Sequence, residues 1–367
     1  MAKQCYDIAV VPGDGIGPEV VAAALDVMRE AAGRAGLRFT PTHHPAGALH
    51  YRDTGHAIAP DTLLAIGQAD AILFGAAGWP DIRKADGTEI APQIDMREHF
   101  ALFAGLRPAR LFAGVPSPLV HARVDMLIVR ESTEGLFAGR HDVPGNDPDS
   151  VTDRMTITRS GCERLFEVTF AEARRRRMAG GRGHVTLFDK ANVLRGMAFM
   201  RRIFDEVAER HPDIGTDRVY IDNGAMLMVT QPERFDVVVM ENQFGDIVSE
   251  IAAGIMGGLG IAPSADISFT HGVFQPCHGT APDIAARGVA NPVATILSAA
   301  MLFDWLAERH QDARGTAAGA GIREAVAAVL AEGPRTRDLG GTAGTAEVAA
   351  AIIAALPSSR QTGPGRS

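Results

Sequence analysis

Cysteine is scarce: Cys5, Cys162 and Cys277 are odd in number, far apart and without metal-ligand spacing. A disulfide framework and a cysteine-rich metal centre are thereby excluded, and a reducing compartment, the cytoplasm, is expected. No apolar run is long enough to span a bilayer, and the opening MAKQ passes straight into the strand-like Tyr6–Val11 without the pattern of a signal peptide. Positive charge is also in deficit. A formal net charge of -8 and a pI near 5.8 speak against a nucleic-acid partner, which needs a basic face. The one basic cluster, Arg174–Arg177, reads as a solvated helix face. Lysine is as scarce as cysteine: only Lys3, Lys84 and Lys190 occur among 36 basic residues. Arginine cannot lose its proton in a protein, so a lysine kept against this background marks a place where an amine is worth inspecting.

What is present suits a soluble α/β protein of roughly two domains: 367 residues, 46% of them hydrophobic and 22% charged. Ile8–Val11 reads as a buried strand, followed by a Gly-rich turn and a helix from Pro18 to about Ala35. A short helix is expected at Asp61–Gln68 and a strand at Ala71–Phe74. Gly75–Pro92 then reads as a long functional loop. Further strands are expected at Met126–Val129, Val185–Phe188, Val219–Ile221 and Val237–Met240. Helices are expected at Arg195–Glu209, Asn291–Arg309 and Ile322–Leu330. Internal repeats and low-complexity blocks are lacking, and the Ser-, Gly- and Arg-rich end from Pro357 to Ser367 is expected to be loose.

Several segments carry chemistry. Gly13-Asp14-Gly15-Ile16-Gly17-Pro18-Glu19 joins strand to helix, but the dinucleotide fingerprint fails because its third glycine falls on Pro18. In Asn242–Glu250, Asp246 and Glu250 stand four apart, on one face if the segment is helical, which suits a hard divalent cation; a solvated acidic face has the same spacing. Arg97, Arg107 and Arg130 lie in apolar segments and could clamp carboxylates in bidentate fashion, although each alone is as readily a salt-bridge partner. Lys190, at a strand end, is a candidate general base with a plain surface lysine as its alternative. Asp222 ends the strand Val219–Ile221 and is either a third metal carboxylate or a turn residue. His278-Gly279-Thr280-Ala281-Pro282-Asp283-Ile284, followed by Asn291, forms a loop rich in backbone donors ahead of a long helix.

Taken in this order, from Val11–Glu19 to Asp338-Leu339-Gly340-Gly341-Thr342-Ala343-Gly344, the segments resemble the β-decarboxylating dehydrogenases that act on isopropylmalate, isocitrate, homoisocitrate, tartrate and D-malate. The resemblance implies a two-domain α/β fold distinct from the Rossmann type, with parallel or mixed sheets flanked by helices. Residues 1–102 and 257–367 would form a larger cofactor domain, and residues 103–256 a smaller one carrying the interface of a homodimer with shared active sites. By motif match, Asp246 and Glu250 would hold Mg2+ or Mn2+ from one subunit, with Lys190 and Asp222 reaching in from the other. Arg97, Arg107 and Arg130 match the carboxylate-binding arginines. Ile16, His278, Gly279, Thr280, Ala281, Asp283, Ile284, Asn291 and Asp338 match cofactor-binding positions. A carboxylate at Asp283 can accept from ribose hydroxyls and repels a 2′-phosphate, so NAD is expected over NADP.

Three departures from the family pattern stand out. Phe137 replaces the tyrosine that partners enol protonation, Glu250 replaces the more usual aspartate, and Gln275 stands where isopropylmalate enzymes often have glutamate. The substrate wall reads Ala91, Gln93 and Ile94, neither the leucines of isopropylmalate enzymes nor the serine and asparagine of isocitrate enzymes. The expectation is a 3-substituted malate as substrate, in the manner of 3-isopropylmalate dehydrogenase. Tartrate, D-malate, isocitrate and homoisocitrate dehydrogenation stay open, as does a non-catalytic subunit of such an enzyme.

Overall fold

The computed structural model describes residues 2–119, 123–142 and 149–358; residues 359–367 of the expected loose end lie outside them. Ten strands form one mixed sheet: β1 (Tyr6–Gly13), β2 (Phe39–His43), β3 (Ala71–Ala76), β4 (Ala104–Arg110), β5 (Asp125–Glu131), β6 (His184–Asp189), β7 (Gly215–Tyr220), β8 (Val237–Met240), β9 (Pro263–Ile267) and β10 (Gly272–Pro276). Their order is β2-β1-β3-β10-β9-β4-β5-β8-β6-β7. Chain segments 1–102 and 257–367 supply one half of this order and 103–256 the other. The halves meet where β4 pairs antiparallel with β9, in the register Gly105↔Asp266.

Helices cover both faces, as a parallel-rich sheet with near-continuous apolar strands requires. β3, β8, β9 and β10 are buried throughout. The helix Gly17–Ala35 begins with Pro18 in its first turn and ends on Gly36 in the left-handed region. The helix Val293–His310 is buried along most of its length and packs on β9, β10 and the helix Ala313–Glu332.

Several sequence expectations need correction. Arg130 lies inside β5 rather than after it, and β7 ends at Tyr220, so Asp222 sits in the first turn of the helix Ile221–Thr230. The long helix begins at Val293, after Asn291. Arg174–Arg177 is not a merely solvated face: Arg174 bonds Asp213, Arg175 bonds Glu172 and Glu308, and Arg176 bonds Asp125 and Asp236, pinning the helix Arg159–Met178 to its surroundings. The spacing that spreads four arginines around a helix also lets each find an acidic neighbour, Arg174 and Arg177 sharing Asp213.

Candidate active site

The three arginines converge on a residue the sequence reading did not single out. Asp266, in the middle of β9 and 2% exposed, accepts from Arg97 Nη2 on Oδ2 and from Arg107 Nη2 on Oδ1, both at 3.2 Å. Gln275 Nε2 donates to the same carboxylate at 2.9 Å from the neighbouring β10. Arg107, in β4, also donates to the carbonyls of Leu106 and Ala265 at 3.1 Å. Arg97 reaches the cluster from the last turn of the short helix Pro92–His99. The close approach of β4 and β9 requires Gly105: a Cβ there would lie 2.8 Å from Ser132 Oγ and 3.0 Å from Asp266 Oδ1.

Arg130 belongs to the same group but faces the other acidic element. It bonds Asp246, and its Nη2 donates to Asn242 Oδ1 at 3.1 Å. Both partners lie on the helix Asn242–Met256, whose first turn is capped by the buried Glu241, accepting from the amides of Gln243 and Phe244 at 3.0 and 2.7 Å. Gly245 lets this helix lie on Arg130, since a Cβ there would fall 2.5 Å from the Arg130 Cγ. Asp246 and Glu250 share one helix face as expected, and both are exposed.

The electrostatics are those of a cation-rich pocket. Burial pushes the Asp266 carboxyl up, but Arg107, Arg97 and Arg130 together outweigh it and hold it well below the usual carboxylate range. Burial, then Arg97, lower Arg130 to about 10. Glu250 is raised by burial and next by the charge of Asp246. Arg97 Nε, Arg130 Nε and Asn242 Nδ2 are buried donors without an acceptor, and Gln93 Oε1 is a buried acceptor without a donor. Such groups cost about 1–3 kcal/mol each when unsatisfied. The set is suited to an anionic ligand with several carboxylate oxygens.

The substrate wall follows the sequence reading in part. Gln93 and Ile94 occupy the first turn of the Pro92–His99 helix, both half-buried. Phe137 lies between two guanidinium groups, 3.7 Å from Arg140 and 5.8 Å from Arg97, so its ring is part of the arginine cluster.

Lys190 and Asp222 form a separate unit: Lys190 Nζ donates to Asp222 Oδ1 at 2.6 Å, and the Asp222 side chain is 67% exposed. The ion pair lowers the Asp222 pKa. Tyr220, outside every motif, has its ring centre 6.0 Å from Lys190 Nζ. The buried Asp189 anchors this strand end through Arg201 at 2.7 Å. Among the described residues, no three His, Cys, Asp or Glu side chains of one chain assemble as a metal site.

The expected cofactor positions gather beyond the C-terminal end of β1. Ile16 donates its amide to the Thr280 carbonyl at 2.8 Å, and Ile16, Ala281 and Ile284 share an apolar cluster with Val20 and Ala290. His278 Nδ1 lies 2.9 Å from the Gly279 carbonyl, while its buried Nε2 has no partner; burial lowers its pKa. Asn291 Nδ2 donates to Asp338 Oδ2 at 2.9 Å, and Glu19 accepts from the amides of Gly288 and Ala290 at 3.2 and 3.0 Å. Asp283 stands exposed at the rim.

The sequence profile described as "Isocitrate/isopropylmalate dehydrogenase" matches residues 7–352. The chain belongs to the isocitrate/isopropylmalate dehydrogenase family. It is 40% identical to the 3-isopropylmalate dehydrogenase of Moorella thermoacetica over 343 residues, covering 91% of this chain and 93% of that one. It is also 40% identical to the 3-isopropylmalate/3-methylmalate dehydrogenase of Methanocaldococcus jannaschii, with 92% and 94% covered. The crystal structure of isocitrate dehydrogenase from Methylococcus capsulatus superposes with a TM-score of 0.82 at 34% identity, covering 96% of this chain and 99% of that one. A beta-decarboxylating dehydrogenase from Thermococcus kodakarensis gives 0.79 at 34%, with 96% of each chain covered. As a member of this family the protein is an oxidoreductase of the decarboxylating dehydrogenase type, a group that uses NAD and a divalent metal.

Proposed function

We propose that this enzyme oxidises a 3-substituted malate with NAD and Mg2+ or Mn2+, and decarboxylates the product, in the manner of 3-isopropylmalate dehydrogenase. The observation that carries this reading is the convergence of Arg97, Arg107 and Arg130 around Asp266, with Asp246 and Glu250 adjoining Arg130. Three guanidinium groups against one buried carboxylate leave positive charge for the substrate's carboxylates. Arg97, Arg107 and Arg130 orient them so that the C2 hydroxyl lies toward Asp246. The carboxylates fit a hard dication: desolvation and next the charge of Asp246 raise Glu250, both penalties that a bound cation offsets. When bound, the metal polarises the C2 oxygen and NAD takes the hydride. Lys190, after giving its own proton to solvent, accepts the C2 hydroxyl proton on Nζ, and Asp222, 2.6 Å away, balances the charge of the ammonium so restored. Asp283 holds the adenosine ribose, while Ile16, Ala281 and Ile284 give the cofactor an apolar seat.

The unit formed by Lys190 and Asp222 completes the metal and base set from a second copy of the chain, in a homodimer. Support comes from a run of exposed apolar side chains around that unit, Val193 at 68%, Met226 at 54%, Val229 at 47% and, on the metal helix, Ile247 at 56%. The two halves of the sheet, 1–102 with 257–367 and 103–256, are proposed as the cofactor and interface domains. No helix among the described residues is long and apolar enough to cross a membrane, and with three free cysteines the cytoplasm is the proposed compartment.

A second reading concerns the substituent. The unpartnered Gln93 Oε1 is better matched to a hydroxyl-bearing group than to an isopropyl group, which favours a tartrate-like substrate. Steady-state assays with NAD, Mn2+ and a panel of 3-isopropylmalate, D-malate, tartrate and isocitrate test both readings. Turnover of 3-isopropylmalate above the others supports the first, and turnover of tartrate above it the second. Failure of all four, in protein that binds Mn2+, would overturn the proposal.

A further inference from the structure

The sheet carries a second concavity on the face opposite the arginine cluster. Strand alternation places them back to back: Leu106 lines the cavity while Arg107 faces Asp266, Ile267 lines it while Asp266 faces the arginines, and Phe274 lines it beside Gln275. The helices Arg159–Met178 and Val293–His310 form the side walls through Val168, Leu297, Met301 and Trp305. The volume is about 620 Å3. That is the size of pockets which enclose small organic molecules.

The rim decides what chemistry the cavity takes. Every carboxylate on it has a guanidinium neighbour: Glu167 has Arg210 at 2.7 Å, Asp304 has Arg323 at 2.6 Å, and Glu172 and Glu308 share Arg175, Glu172 at 2.9 Å. Arg176 is matched by Asp125 and Asp236. Among the described residues, the two rim guanidinium groups with no carboxylate are Arg110 and Arg309. Each lies over an aromatic ring instead, Arg110 at 5.7 Å from the centre of Phe112 and Arg309 at 5.5 Å from that of Trp305. Arg110, at the end of β4, stands about 25 Å along the sheet from Phe269, whose carbonyl accepts from Arg309 Nη1 at 2.8 Å, so one ligand carboxylate meets Arg309 alone. An apolar chamber with one unmatched cation at that end is complementary to an apolar body ending in one carboxylate.

We propose that this cavity is a second ligand site, distinct from the active site, that binds amphipathic monocarboxylates, with the aliphatic or aromatic body between the two helices and the carboxylate at Arg309. The proposal stands independently of the substrate assignment, since it uses none of the residues of the arginine cluster.

Trp305 provides the readout, because Trp79 is the sole other tryptophan of the chain. In a Trp79→Phe background, octanoate should change Trp305 emission saturably. Octanamide, equal in shape and uncharged, should bind about tenfold more weakly, as should octanoate to the Arg309→Gln variant, a loss of about 1.4 kcal/mol, because each change removes a charge-assisted hydrogen bond. Ala171, exposed on the cavity wall, can be replaced by Phe without disturbing the core, and Ala171→Phe should abolish octanoate binding by filling the chamber. Calorimetric titration of the unaltered protein with octanoate and octanamide repeats the comparison without any substitution. Equal affinity for acid and amide, unchanged binding in Ala171→Phe, or no saturable signal by either method would each overturn the assignment.

Discussion

The Asp266 cluster and the Lys190–Asp222 pair are both ion pairs at a candidate active site, yet they are built oppositely. Asp266 is 2% exposed and held by two guanidinium groups and an amide. Asp222 is 67% exposed and held by one ammonium group. A buried charge must be matched within its own fold, because losing a partner there costs about 3–5 kcal/mol. An exposed pair is worth about 0–1 kcal/mol and can be shared with another molecule without loss of the fold. The proposed substrate-orienting part is therefore matched within one chain, whereas the proposed proton-handling part is exposed, where a second chain can meet it.

The sharpest test of this difference is Lys190→Ala. Turnover should fall about 10²–10⁴-fold while stability changes by less than about 0.5 kcal/mol, measured by kinetics and urea denaturation on one sample. Near-normal turnover would remove Lys190 as the base. Asp266→Asn should do the reverse first, destabilising the fold by about 3–5 kcal/mol in urea through two unmatched arginines. A loss below about 1 kcal/mol would mean that the cluster is not a buried electrostatic unit.

Phe137 has its ring inside the arginine cluster and carries no hydroxyl that could donate a proton. Phe137→Tyr should raise decarboxylating turnover, by up to about 10²-fold if a general acid is what the site lacks. A fall in turnover with structure retained would assign the ring to substrate packing against Arg97 and Arg140. Tyr220, beside Lys190, would then be the next donor to test by Tyr220→Phe.

The smallest expected effect is on thermal stability. Glu250 has a raised pKa in the fold, so the protonated form is favoured there: its contribution is fully present below the unfolded pKa and lost as pH rises through the folded one. Mn2+ should reverse that penalty once both carboxylates are ionised. The rise in Tm on adding Mn2+ should therefore be largest near pH 7.5 and shrink as pH falls toward the carboxylate range. A rise independent of pH would place the ion elsewhere.

Asp246 and Glu250 were legible because spacing within one helix is a local property, fixed by 3.6 residues per turn. Lys190 was legible because it stands at a strand end in a chain nearly without lysine. The Gly-rich turn and the loop from His278 could be read as punctuation between elements, and family resemblance joined them into one fold. Asp266 was not legible, although a lone carboxylate among the apolar residues of Pro263–Ile267 was a usable signal. Its partners Arg97 and Arg107 lie 169 and 159 residues away in sequence. What brings them together is the antiparallel register of β4 on β9, and register across a sheet depends on every strand that packs around it. The sequence by itself determined the local geometry of each motif and the chemistry of its side chains. Only the tertiary structure decided which charges are buried together, because burial and long-range pairing are properties of the assembled sheet and not of any one segment.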